Sequence, residues 1–351
     1  SACCLAGHAK NSFYVGRKLN TLLEEIAANI KTFQEIKQCL SIEYKRVFGQ
    51  LVMNMQDKSI NPTKLVGKMC DENKLAHLFQ ESGDMVGMFF IYMSKTILNY
   101  HFGEYALALK TLKKAEENMA GVAGMVDIPI FYFFDSLTRI AIYPDVSDDE
   151  KEELLIRVSE NQMKLENWSK HAPMNFLHKY YLVEAERMRV NGKSDDAMEY
   201  YDKAISLANE HEYINDEALA NELAAQFWTH KNKYRYAKIH FREAYFGYKR
   251  WGADAKIMQL QSRYSEIFYE TFGKTARDNE TTITDLELVD IDTVLKANQA
   301  ISQEILLDEL IKKLIKIIVE NVGAQKVVFI MKESDAFNIK GKKEINEEKV
   351  N

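Results

Sequence analysis

The residue types that could carry chemistry are scattered along this chain. His171 and His178 stand seven positions apart, a spacing that could hold a metal ion or a phosphoryl group if both lay on one helical face. Pro173 between them favours the start of a helix, which would leave His171 before it. No further histidine, cysteine or carboxylate pair stands at liganding offsets from them. The sequence therefore predicts helix histidines with no metal.

Nucleotide chemistry has no recognisable motif here either. The segment Gly121–Gly124 is the nearest approach to a phosphate cradle, but it lacks the Lys and Ser/Thr of a P-loop and predicts a turn between helices. The Lys, catalytic Asp and magnesium-binding Asp motifs of protein kinases are absent from the sequence. We expect no catalytic, cofactor-binding or metal-binding residue and no enzyme activity in this segment.

Composition sets the class of protein. Of 351 residues, 46% are apolar and 11% aromatic, enough for a buried core. The net charge of −6 is spread over mixed Lys and Glu, with no basic stripe for nucleic acid. Apolar runs are far shorter than the roughly 18 residues of a membrane span. The four cysteines lack zinc or disulfide spacing, and the first residue is Ser, so we expect a reduced, cytoplasmic piece of a longer protein.

A repeat of forty residues is the strongest pattern in the sequence. Ala185 precedes Ala197 by twelve positions, and Ala225 precedes Ala237 by the same twelve. Small residues at fixed offsets let antiparallel helices approach closely, and the larger residue four positions later fills the groove between neighbouring pairs. This is a degenerate tetratricopeptide (TPR) pattern. The other members of the first copy are Gly192, Tyr201, Ala204 and Ile205, and those of the second are Phe241, Ala244 and Tyr245. A fainter third copy consists of Gly103, Ala108, Leu112 and Ala115.

Local signals divide this region into about a dozen helices. Ser147 with Glu150 predicts a capping box, and Ser194 is expected to open a helix. Glycines close several helices in the left-handed conformation, at Gly103, Gly192 and Gly252. The predicted fold class is all-α, a TPR-like α-solenoid of antiparallel helix pairs over residues 1–270.

Composition changes beyond residue 270. Thr, Asn, Asp and Gly dominate 271–285, which predicts a linker. A near-heptad apolar stripe follows and predicts a coupling helix over 286–304 that could pair with a second copy. Its candidate contact residues are Ile291, Leu295, Ile301 and Ile305. Residues 305–351 would hold the start of an α/β domain, with predicted strands at Val327–Met331 and Ala336–Lys340.

Three segments of the chain resemble a known family. His171–Trp228, Ala244–Ile257 and Asp290–Lys326 are similar to one region of the large bacterial multi-sensor hybrid kinases. Those proteins combine a serine/threonine kinase domain, an AAA-like ATPase, a TPR-like region, a GAF sensor domain and a histidine kinase. The resemblance covers nearly the whole chain and is strongest from about Trp168 onward. It implies that residues 305–351 are a partial GAF domain. Val327-Val328-Phe329 departs from the family's usual hydrophobic pair after "GAQ".

Two regions could mediate contacts with other proteins. Glu184, Glu186, Arg187, Asn221 and Glu222 fall on helices expected to face inward, and could line a groove that holds an extended peptide. A solvated helix face or docking within the chain would give the same sequence. The coupling helix could transmit a rotation or register shift, or could be a structural cap on the sensor domain.

Two functions remain open on the sequence alone. The first is a non-catalytic regulatory segment that relays state from an upstream ATPase and kinase region to a downstream GAF domain and histidine kinase. Its partners would be those domains and a second copy through the coupling helix, and only its parent would use ATP. The alternative is a free-standing TPR-like adaptor that binds a peptide or protein partner.

Overall fold

The computed structural model describes residues 2–35, 39–272, 326–333 and 336–344. The chain divides into two compact units, residues 1–274 and 275–351. The first unit is mostly helical in its described part, which confirms the prediction of a mostly α-helical chain. Its α-helices are α1 Ala2–Tyr14, α2 Leu19–Glu35, α3 Cys39–Met55, α4 Glu72–Glu81, α5 Met85–His101, α6 Tyr105–Glu117, α7 Asp127–Ile142, α8 Asp148–His171, α9 Pro173–Val190, α10 Ser194–Glu210, α11 Ile214–His230, α12 Tyr234–Trp251, α13 Asp254–Arg263 and α14 Ser265–Phe272.

Successive helices pack in pairs joined by short turns. The pairs are α5 with α6, α7 with α8, α9 with α10 and α11 with α12. Several predicted boundaries are confirmed: α9 begins at Pro173, α10 begins at Ser194, and Glu150 Oε2 accepts hydrogen bonds from the Ser147 backbone and hydroxyl group. Gly192, with φ of 75°, takes the left-handed conformation that was expected at the turn after α9.

The repeated small residues lie inside the pair interfaces. Ala185, Ala197, Ala225 and Ala237 are all fully buried. The large members of the repeat, Tyr201 and Phe241, are buried beside them. Gly247 on α12 also comes close to Ala218 on α11, since a methyl group added at Gly247 would lie 2.8 Å from the Ala218 Cβ. Small side chains therefore set the spacing between paired helices.

Replacing Gly247 by leucine is expected to lower the free energy of unfolding by about 1–3 kcal/mol, because the new side chain has no space against α11. Urea unfolding followed by circular dichroism would measure the loss. Gly7→Leu is the matched control, since Gly7 also lies in a helix but has no atom within 4 Å of an added Cβ. Equal midpoints for the two variants would show that the close approach is not needed.

The first helix of each pair is enclosed more completely than the second. Helix α5 buries every residue from Thr96 to His101, and α11 buries every residue from Asp216 to Ala225. By contrast, α10 buries one stripe, formed by Ala197, Tyr201, Ala204 and Ala208. The first helices therefore form an inner row that is more buried than the second helices.

Neighbouring helices of the inner row contact one another, and α13 near the end of the unit contacts α3 near its beginning. Helix α3 packs on α5, α5 on α7, α7 on α9 and α9 on α11, and α13 packs back on α3. Helix α1 lies against α2 and α3. Its last turn also reaches α12, where the rings of Phe13 and Trp251 are 5.4 Å apart. The first unit is thus a closed body, held by contacts between its first and last helices.

The second unit contains an antiparallel strand pair in its described part. Strand β1 runs over Lys326–Glu333 and β2 over Ala336–Glu344, with Lys326 opposite Glu344. The register shifts between Phe329 and Ile330, as at a β-bulge. The two predicted strands lie within β1 and β2. Thr271 and Phe272, the first two residues of the predicted linker at 271–285, instead end α14. The rest of that linker, the predicted coupling helix at 286–304 and the residues Ile291, Leu295, Ile301 and Ile305 lie outside the described residues.

Candidate functional site

The predicted groove residue Glu184 lies inside the helical unit. Its side chain is 3% exposed, and its carboxylate accepts a hydrogen bond of 2.6 Å from Gln162 on the preceding helix. Arg187, one turn further along α9, donates to the same carboxylate at 2.5 Å. Arg187 remains partly exposed. The Glu184 carboxylate therefore finds its hydrogen-bond partners within the chain.

Asn221 and Glu222 are enclosed in the same way on α11. Asn221 donates to the Glu217 carbonyl at 3.0 Å, and its Oδ1 lies 3.0 Å from His240 Nδ1. Glu222 accepts hydrogen bonds from Tyr248 at 2.7 Å and from Lys256 at 2.8 Å. Together with Glu186, which is 4% exposed and is described below, four of the five predicted groove residues are thus buried and bonded inside the unit. This arrangement corresponds to docking within the chain rather than to an open groove.

Lys256 joins the last helices to the middle of the chain. It is 2% exposed and contacts Glu222, the Gln259 side chain at 2.7 Å and the carbonyl oxygen of His101. Gln259 donates to the Phe102 carbonyl at 3.1 Å. Burial, the largest influence, lowers the pKa of Lys256, while the Glu222 carboxylate opposes that shift. These contacts hold α13 to the end of α5, across 155 residues of sequence.

A second buried cluster connects α9 to α11. Lys179 donates to Asp216 at 2.6 Å, and His178 Nε2 lies 2.9 Å from both groups. Burial and the Lys179 charge lower the pKa of His178 to about 4. Burial alone would raise the pKa of Asp216, but Lys179 and the bond from His178 lower it to about 2. The cluster is therefore a buried ion pair beside a neutral histidine.

Glu186 on α9 binds groups of its own helix pair. Arg189 donates to it at 2.6 Å, and the Tyr201 hydroxyl on α10 is hydrogen-bonded to the same carboxylate. The Glu186 charge is the largest influence on Arg189 and raises its pKa, although burial acts in the opposite direction. Burial and the same charge raise the pKa of Tyr201. The polar groups of this pair are accordingly matched to one another.

Two buried aspartates on α7 bind groups on α1 and α8. Asp127 contacts Lys10 and accepts a hydrogen bond of 3.0 Å from Tyr14, which fixes α1. Asp135 accepts from Arg157 at 3.1 Å and from Asn161 at 2.8 Å, both on α8. The Asp127 carboxylate thus links helices that are more than 100 residues apart in sequence, and the Asp135 carboxylate links the two helices of one pair.

One small cavity lies at the centre of the unit. Its volume of about 10 Å³ is room for about one water molecule. Three of its lining residues carry a buried polar atom without a hydrogen-bond partner in the described residues, namely His101 Nδ1, Asn215 Oδ1 and Trp251 Nε1. The Lys179–Asp216 pair also reaches this cavity. The space is far smaller than the roughly 300 Å³ of a small-molecule site.

The two histidines of the sequence analysis lie on different helices. His171 is the exposed last residue of α8, and His178 is buried in α9. Gly121–Gly124 lies between α6 and α7, as the predicted turn. Among the described residues, no group of three His, Cys, Asp or Glu side chains could hold a metal ion. Within that same part of the chain, no helix has the length and apolar character to cross a membrane.

Sequence reasoning missed the cations that complete these clusters. Lys179 and Lys256 are not among the residues that the sequence analysis singles out, yet each is 2% exposed. A signal did exist, because four polar residues interrupt the Ala- and Leu-rich α11 at positions that a buried helix would give to apolar side chains. Buried carboxylates require cationic partners, so those interruptions implied lysines or arginines elsewhere in the core. Comparisons with known protein families, with curated proteins and with solved structures give no match for this chain.

Proposed function

We propose that this chain is a non-catalytic relay segment of a large multi-sensor protein kinase. Its helical unit would be a TPR-like array that couples an upstream ATPase and kinase region to a downstream GAF domain and histidine kinase. The family assignment rests on the sequence resemblance of 171–228, 244–257 and 290–326. The parent protein, and not this segment, would transfer phosphate from ATP to serine, threonine or histidine.

One observation supports the relay: buried polar contacts form a continuous series between helices from α7 to α13. Asp135 connects α7 to α8, Gln162 connects α8 to Glu184 on α9, and Lys179 connects α9 to Asp216 on α11. The series continues through Glu222 and Lys256 to α13, and from there to α5. Removing Lys179 or Lys256 would leave a buried carboxylate without its lysine partner, which is costly. Such a body moves as a unit, and a unit can pass a displacement from one end to the other.

The helix pairs support the TPR-like description. Their Ala-sized contacts recur at the spacing of the repeat, and the turns between paired helices are short. The inner row differs from an open TPR groove because its polar side chains bind one another. A relay has no need of a groove, whereas an adaptor that uses one does. The relay is therefore the better supported of the two functions.

Inserting a flexible Gly/Ser segment within residues 271–285 of the full-length protein is expected to change its rate of autophosphorylation. Loss of a coupling free energy of about 1–3 kcal/mol corresponds to a change of about 5- to 150-fold. The measurement is incorporation of labelled phosphate from ATP, with histidine and serine/threonine products separated by their stability to acid and alkali.

The matched control is the same insertion at Ile60, whose side chain is fully exposed in the loop before α4. Equal rates for the two insertions would contradict the relay. The flanking coding sequence is a second test. Continuation into the rest of a GAF domain and a histidine-kinase core supports the relay, whereas a start near Ser1 and a stop codon after Asn351 supports the adaptor.

A further inference from the structure

The turn between α11 and α12, with the first two turns of α12, carries an exposed basic and aromatic surface. Lys231, Lys233 and Arg235 are all exposed there. Among them lie Tyr234 and Tyr236, which are 50% and 51% exposed, and Ile239 at 53% completes the apolar part. We call these six residues the 231–239 surface. Large apolar and aromatic side chains gathered in so short an exposed segment are typical of contact sites.

The cations of the 231–239 surface form no ion pair in the described part of the chain, and Lys231 Nζ lies 5.9 Å from the centre of the Phe227 ring. No carboxylate of the described residues lies within 4 Å of Lys231, Lys233 or Arg235. The first turn of α12 contains no acidic residue, whereas α10 and α11 each carry two. Positive charge at a helix N-terminus opposes the helix dipole. The placement of Lys233 and Arg235 is therefore unfavourable for the isolated α12, and an anionic partner would relieve it.

The aromatic part of the surface is held in place before any partner arrives. The ring of Tyr236 stacks on Trp228 of α11, with centroids 4.8 Å apart and planes inclined by 29°. Tyr234 donates a hydrogen bond of 3.3 Å to Asn232. Rings that are already ordered lose little conformational entropy on binding, so they make efficient anchors.

We propose that the 231–239 surface binds a segment of a partner protein in which Asp or Glu alternates with aromatic or aliphatic residues. Its carboxylates would pair with Lys231, Lys233 and Arg235, and its apolar side chains would pack on Tyr234, Tyr236 and Ile239. A protein fits better than a nucleic acid, because the net charge of −6 repels a phosphate polymer while three local cations suit a short acidic stretch. The proposal concerns the helical unit itself and does not depend on its place in a kinase.

The test measures binding of a short fluorescein-labelled peptide, in which glutamate alternates with phenylalanine, to the whole chain by fluorescence anisotropy. The decisive variant is Lys231→Glu/Lys233→Glu/Arg235→Glu. Glutamate is favourable at the N-terminus of α12, where Lys233 and Arg235 lie, and Lys231 is an exposed residue at the end of α11, so this variant is expected to fold, which circular dichroism would verify. We expect binding at least about tenfold weaker than for the unchanged chain, and weaker binding of the unchanged chain at high salt.

A matched charge reversal shows whether the effect is local. Lys68→Glu/Lys74→Glu/Lys113→Glu changes the net charge equally at exposed lysines elsewhere and is expected to leave binding nearly unchanged. Tyr234→Ser/Tyr236→Ser tests the aromatic part and is expected to weaken binding without changing charge. The proposal is overturned if the peptide does not bind, or if both charge reversals weaken it equally. It is also overturned if a single-stranded oligonucleotide binds the same surface more tightly than the peptide.

Discussion

Replacing Lys256 by methionine is expected to destabilise the helical unit by about 3–5 kcal/mol, because the change leaves the Glu222 carboxylate buried without its cation. The lysine also bonds the His101 carbonyl and Gln259, so the contact between α13 and α5 is weakened at the same time. Methionine fills a similar volume and adds no charge. The loss would be measured as a shift in the urea midpoint, followed by circular dichroism at neutral pH.

Two further variants separate the charge from the packing at this site. Lys256→Met/Glu222→Gln removes both charges while the glutamine still accepts from Tyr248, so most of the lost stability is expected to return. Lys203→Met is the matched surface control. Lys203 pairs with Glu199 at 2.5 Å, but both side chains are more than 40% exposed, and such pairs contribute at most about 1 kcal/mol. Equal losses for Lys256→Met and Lys203→Met would disprove the role given to the buried pair.

The predictable part of this fold is the part determined by neighbours in sequence. The capping box at Ser147, the start of α9 at Pro173 and the left-handed turn at Gly192 each depend on a few adjacent residues. The alanine repeat was also readable, because its helical spacing shows which face must be buried. Helix boundaries and the residues that pack between paired helices follow from such patterns.

Partners across the core could not be predicted, because they depend on the register between distant helices. Lys179 and Asp216 are 37 residues apart, and Lys256 reaches a carbonyl 155 residues away. Nothing in local periodicity separates a lysine on a solvated helix face from one that crosses a core with its stem buried. The closure of the inner row therefore turned polar residues expected to line a groove into internal contacts.

Acidification from pH 6.5 to about 4.5 is expected to lower the free energy of unfolding by on the order of 5 kcal/mol through two buried histidines. Burial and the Lys256 charge lower the pKa of His101 to about 3, and burial and the Lys179 charge lower that of His178 to about 4. The unfolded chain takes up these protons near pH 6.5, so stability is full above that value and is lost as the pH falls. Two histidines over two pH units, at about 1.4 kcal/mol each per unit, give the stated size.

His101→Phe is the variant that isolates this effect. The His101 ring lies within 6.4 Å of the rings of Phe134, Tyr248 and Trp251, and its Nδ1 has no partner among the described residues, so phenylalanine should be tolerated at neutral pH. The variant should lose about half of the acid sensitivity, measured as urea midpoints between pH 7.5 and pH 4.5. His77→Gln, at a histidine whose side chain is 73% exposed, should keep all of it. The carboxylate of Asp216 has a pKa near 2 and so does not account for a loss of stability above pH 4.5. If His101→Phe is as acid-sensitive as the unchanged chain, protonation of His101 is not the cause of that loss.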